Sequence, residues 1–157
     1  KEVYFRHNLL RCSIYNFLIL FQAIMVLNDD YDVSQDNDVL MRIACENEHY
    51  DLMKYLMNTY QSIDLSVANE RILLDAVKKN KLKLVQWLVT HNPFVDLQIN
   101  NNMLFSSACD KGNLEMCTWL LGTDPTIKDF ITPELILKMS NKKNLDVTKF
   151  LMDIKRA

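Results

Sequence analysis

Turn residues are almost absent from this chain. Its 157 residues include 2 glycines and 3 prolines, too few for the hairpins of a β-sandwich or barrel. The lone Gly112 and Gly122 leave no Gly-rich loop to cradle a phosphate. No CxxC pair occurs among Cys12, Cys45, Cys109 and Cys117, so reduced thiols filling a core in a cytoplasmic or nuclear protein are expected rather than a disulfide framework. An excess of one charge is also lacking. The 18 basic and 20 acidic residues leave a net −2, which argues against a general nucleic-acid binder. The longest apolar run, residues 14–27, is interrupted by Asn16 and Gln22 and falls short of the ~20 residues that span a bilayer. Arg6 and Arg11 precede it as in a signal peptide, yet no small-x-small cleavage site follows. A buried terminal helix is the expectation there. What remains is 49% apolar and 24% charged, the balance of one soluble, mostly helical domain. Lysines outnumber arginines thirteen to five and there are fifteen asparagines, a bias expected of an A/T-rich genome. Lys1 in place of Met suggests a fragment or a processed product.

Self-similarity organises the rest. The stretches LMRIACENEHYDLMKYLM from Leu40, ILLDAVKKNKLKLVQWLV from Ile72 and LFSSACDKGNLEMCTWLL from Leu104 start 32 residues apart, and LILKMSNKKNLDVTKFLM follows 31 later, from Leu135. One column holds Ala44, Ala76 and Ala108, with Met139 as the exception. Six residues on stand Tyr50, Leu82, Leu114 and Leu145. The aromatics Tyr55, Trp87, Trp119 and Phe150 are each followed by Leu. The connecting segments repeat as Ile63, Val95 and Ile127, with Asp64 and Asp96 beside them. Each copy reads as two short helices and an extended loop. Gly112 suits a left-handed helix end, Asn113 is expected to cap the next helix, and Thr132-Pro133-Glu134 is a strong start signal. One such pair cannot bury both its apolar faces, whereas stacked pairs share a core. The aromatic column is expected to pack one pair on the next.

These residues resemble the ankyrin-repeat family, whose unit is a helix pair followed by a β-turn finger. KGNLEMCTWLL matches the family's second helix closely, ENEHYDLMKYLM and KNKLKLVQWLV less so, and the Ile/Val-Asp pairs are similar to the finger ending; together the match covers about residues 38–155. The Thr-Pro-Leu-His tetrapeptide is missing throughout, and the Gly before the second helix survives only as Gly112, with Glu48, Asn80 and Lys143 elsewhere. The divergence resembles ankyrin proteins encoded by giant DNA viruses of amoebae. The fold class expected is an all-α, ankyrin-like helix-pair solenoid with short β-turn fingers. It is a single domain, 1–157, with a degenerate N-terminal repeat at 4–34, repeats at 35–66, 67–98 and 99–130, and a C-terminal capping repeat at 131–157. For the first segment, one long unrelated helix is the alternative.

The resemblance implies a non-catalytic protein-protein interaction module, a scaffold or adaptor that is host-directed if viral. Carried over by position, its binding surface comprises Glu46, Asn47, Lys78, Lys79, Asp110, Lys111 and Lys142 on the first helices, with Asp38, Glu70 and Asn102 on the finger side. The partner expected is another protein, with no cofactor, small-molecule substrate, nucleic acid or membrane span. Self-association through the apolar N-terminal segment is the alternative role. Metal and catalytic chemistry find little support. Cys45 and His49 lie one helical turn apart but are too few to hold a metal, and His49 stands at the family's structural His position. His7, His49 and His91 fall in different copies, Asp29-Asp30 sit in a linker, and Cys117 lies on an apolar face. The basic run Lys78, Lys79, Lys81 and Lys83 has no interleaved aromatics for bases; it reads as a solvated face or a patch for an acidic partner segment.

Overall fold

Apolar residues at helical spacing, interrupted at fixed intervals, become helix pairs. The computed structural model describes residues 2–27, 37–59, 65–92 and 95–156; Asp29, Asp30, Asp32, Ile63 and Asp64 lie outside them. Ten α-helices stand among the described residues: α1 (Glu2–Tyr15), α2 (Leu18–Val26), α3 (Asn37–Glu46), α4 (Tyr50–Thr59), α5 (Leu65–Lys78), α6 (Leu82–His91), α7 (Ile99–Asp110), α8 (Leu114–Thr123), α9 (Pro133–Asn141) and α10 (Leu145–Arg156). No strand occurs among those residues.

One turn joins the helices of every pair. Asn16, Glu48, Asn80, Gly112 and Lys143 all have positive φ, between 55° and 73°. They recur at the repeat period, and the first of them divides residues 2–26 into two helices rather than one. The amide after each turn residue bonds back to the small column: Phe17 to Cys12, His49 to Ala44, Lys81 to Ala76, Asn113 to Ala108 and Asn144 to Met139, at 2.9–3.2 Å. Four of the turn residues add their own bond three residues back, as Glu48 does to Cys45 at 3.2 Å. This is the Schellman arrangement, which satisfies the last carbonyls of a helix and reverses the chain in two residues.

Two compact units divide the chain, residues 1–68 and 69–157. The first is centred on Leu9, Phe21, Met41, Ala44, Leu52 and Leu56, all at most 1% exposed. Phe21 meets Tyr55 edge to face, with ring centroids 6.1 Å apart. The second is built on Leu73, Val85, Phe105, Met116, Leu120 and Leu151, each fully buried. The aromatic column is only half-buried at Tyr55, Trp87, Trp119 and Phe150. The Leu that follows each ring fills the core, while the ring lies along its edge.

Among the described residues, two stretches of connection between pairs carry structure of their own. Between α8 and α9 stands a 3-10 helix, Pro125–Phe130, started by Pro125 and by Asp124, whose carboxylate accepts from the Thr126 amide. Gln98 Nε2 donates to Asp124 Oδ2 at 3.0 Å and also bonds Thr126 Oγ1, tying this connection to the one before α7. At the start of α7, Asn100, Asn101 and Asn102 form a short left-handed run with φ of 49–60°. Asparagine tolerates that conformation better than other residues with a side chain. Thr132 caps α9 as expected, accepting from the Leu135 amide at 3.3 Å. Asn113 does not cap α8. The Schellman turn directs it inward, and its amide nitrogen is buried without a partner.

Candidate functional site

The turn geometry decides which side chains reach the surface, because the two residues before each left-handed position end the first helix at its rim. In residues 1–68 these are Glu46 and Asn47, both exposed. Glu46 Oε1 lies 3.1 Å from Arg42 Nη1, and Asn47 Nδ2 donates to the Ile43 carbonyl at 2.8 Å, capping its own helix. Asp38 falls in α3, but its side chain lies outside the described residues.

In residues 69–157 the same positions give Lys78, Lys79 and Lys111, exposed along with Glu70. Lys83 is exposed and Lys81 half-buried. Asp110 and Lys142 are tied to each other instead. Lys138 Nζ and Lys142 Nζ both stand 3.0 Å from Asp110 Oδ1. Burial alone would raise the Asp110 pKa, but hydrogen bonds and charge from Lys142 and Lys138 outweigh it and hold the carboxyl below its ordinary value. This cluster fastens α9 to α7. Asn102, expected at the exposed finger side, is 8% exposed, with Oδ1 buried and unpartnered. It is the last residue of the left-handed run that opens α7.

A second set of polar side chains joins neighbouring pairs. His49 Nδ1 lies 2.7 Å from the Ser13 carbonyl oxygen, so that nitrogen carries the proton and donates. Asn144 Nδ2 donates to the Cys109 carbonyl at 3.0 Å. Ser13 and Cys109 occupy the same repeat column, as do His49 and Asn144, so one interaction recurs in both units with different chemistry. The role of Asn144 escapes a reading of the residue alone; its position in register with His49 was the available signal.

The buried thiols offer no reactive centre. Cys109 and Cys117 Sγ are 3.6 Å apart and fully buried, and their mutual hydrogen bond, with desolvation, pushes the Cys109 thiol far up. Burial likewise raises Cys12. A protonated, enclosed thiol is a poor nucleophile and a poor ligand. No group of three metal-binding side chains occurs among the described residues, and no helix among them is long and apolar enough to cross a membrane. The family model for ankyrin repeats (3 copies) matches residues 9–101, more than half of the chain. No curated protein and no solved structure matches.

Proposed function

The chain belongs to the ankyrin-repeat family, and from that premise we propose that it is a non-catalytic protein-binding module, a scaffold or adaptor whose five repeats at 4–34, 35–66, 67–98, 99–130 and 131–157 belong to one domain. The observation that carries this reading is the recurrence of exposed polar side chains at the ends of the first helices, Lys78, Lys79 and Lys111 foremost. They stand on helix pairs whose apolar columns are buried. Ankyrin repeats generally serve protein–protein interaction, and exposed lysines in register favour a partner segment rich in Asp and Glu. Glu46, Asn47, Glu70 and Asp38 provide further positions for contact, whereas Asp110 and Lys142 serve mainly to hold α7 and α9 together. The Lys- and Asn-rich composition supports a viral protein that meets its partner in the host cytoplasm or nucleus.

Capture from host lysate tests this reading, with the Lys78→Glu/Lys79→Glu/Lys111→Glu variant as the control. The native chain is expected to retain a partner that the triple variant loses while keeping its helical circular dichroism. Equal capture by both would overturn the assignment of the lysines.

A further inference from the structure

The first helix pair breaks the surface pattern of its own repeats. Ile14 and Tyr15 fall in the columns of Glu46 and Asn47, Ile19 in that of Asp51, Lys83, Glu115 and Asp146, and Val26 in that of Asn58, Thr90, Gly122 and Asp153. Nearly all of those later residues are polar and exposed, Asp110 alone in the Ile14 column being half-buried. Their apolar counterparts are exposed as well: Ile14 45%, Tyr15 59%, Ile19 83% and Val26 74%. Stacking a further repeat in front of α1 and α2 would not cover them, because α3 and α4 already have a pair in front and leave these columns open to solvent. The cover must come from outside the array.

A groove lies beside them. Where later copies carry an aromatic ring, Tyr55, Trp87, Trp119 or Phe150, the first copy has Ala23. The space opens into a cavity of about 640 Å³ lined by Asn16, Phe17, Leu18, Ile19, Leu20, Ala23 and Asp51. Ile19 and Ala23 are one helical turn apart on α2, so one helix carries a projecting side chain and the hole that could receive it. A surface with both halves of a contact is self-complementary about a two-fold axis: two α2 helices packed antiparallel can exchange Ile19 for Ala23 twice.

We propose that this face is a homodimer interface, with α2 of a second copy as its occupant. Ile14, Tyr15, Ile19, Val26 and Leu27, in columns that later copies leave open, together expose on the order of 600 Å², the lower end of what each partner contributes to a standard stable interface. A lipid surface suits the face less well. Helices that lie on membranes are rich in lysine and arginine on their polar side, whereas α2 has no charged residue, α1 brings two arginines, Arg6 and Arg11, and Asp51 in the groove lining repels anionic headgroups.

Sedimentation velocity of the native chain from about 1 to 200 µM, together with flotation on phosphatidylcholine/phosphatidylglycerol vesicles, tests the proposal. The mass is expected to rise with concentration from 18.4 kDa to twice that value. Ile19→Asp places a charge on an exposed position and should weaken dimerisation at least tenfold with helicity retained. Ala23→Trp, which supplies the ring type found in later copies, should fill the groove and have the same effect, and it decides the matter if the first variant does not fold. A native chain that stays monomeric throughout, or a dimer indifferent to both folded variants, would overturn the proposal. So would a monomer that floats with vesicles and loses flotation on Ile19→Asp, which would assign the face to lipid.

Discussion

At the scale of single residues, strain is concentrated where the repeat demands a left-handed turn. Glu48 and Lys143 adopt φ of 57° and 61°, a conformation that costs a residue with a side chain roughly 1–2 kcal/mol. Glu48→Gly and Lys143→Gly are each expected to stabilise the fold by about 1 kcal/mol, read as a higher urea midpoint with unchanged slope, part of the gain being offset by a freer unfolded chain. Gly112→Ala should cost about 1 kcal/mol or more, since φ there is +73°, a backbone conformation that a residue with a Cβ adopts only under strain. Gly112 suits this turn by its chemistry, and Asn16 and Asn80 do so more weakly; Glu48 and Lys143 became readable only through the repeat register, because tertiary packing overrides local preference. Asp110 offers a test in pH. Its pKa is depressed in the folded state, so its contribution is present above the unfolded value near 3.9 and lost as pH falls through the folded value. Asp110→Asn should therefore lower the melting temperature at pH 7 by the equivalent of up to about 1 kcal/mol and narrow the difference from the native chain below about pH 4.

At the scale of elements, the helix pairs were legible because their apolar columns repeat, but the columns do not divide the work as their chemistry suggests. The aromatic column draws attention by size, and it is the Leu after each ring that is most enclosed: Leu56, Leu120 and Leu151 are fully buried and Leu88 is 6% exposed. Leu120→Ala is expected to cost about 2–5 kcal/mol. Trp119→Ala, losing a half-buried ring, should cost less, about 1–2 kcal/mol. Urea unfolding of the two variants side by side checks that order. The Leu82, Leu114 and Leu145 column runs from half-buried to 71% exposed, so apolar identity alone does not place a column in the core. The connections were the least readable elements. Three consecutive asparagines signal a loop, yet they form a left-handed turn that draws Asn102 inside, and Asn113 next to a left-handed glycine faces the core instead of capping α8. In both places the backbone sets where the amide goes.

At the scale of the whole molecule, the repeats separate what holds the fold from what remains free to bind, and that separation can be measured. The buried columns, the turns and the bonds from His49 to Ser13 and Asn144 to Cys109 serve cohesion. Lys78, Lys79 and Lys111 stand in the open, and exposed charges seldom contribute more than about 1 kcal/mol to stability. Lys142 was equivalent to Lys111 by position, but its ion pair with Asp110 at 3.0 Å moves it to the cohesive set, a distinction that spacing alone could not draw because the partner comes from another repeat. Reversing Lys78, Lys79 and Lys111 together should therefore leave the melting temperature within a few degrees of the native value, whereas Lys142→Glu should lower it by placing a second carboxylate beside Asp110. If the captured partner is acidic, the native chain's affinity will fall as salt rises, since screening shortens the reach of exposed charge to about 8 Å at physiological ionic strength. The triple variant's weaker binding will vary little over the same range. Unfolding caused by the three reversals, or a native affinity indifferent to salt, would move these lysines out of the binding surface.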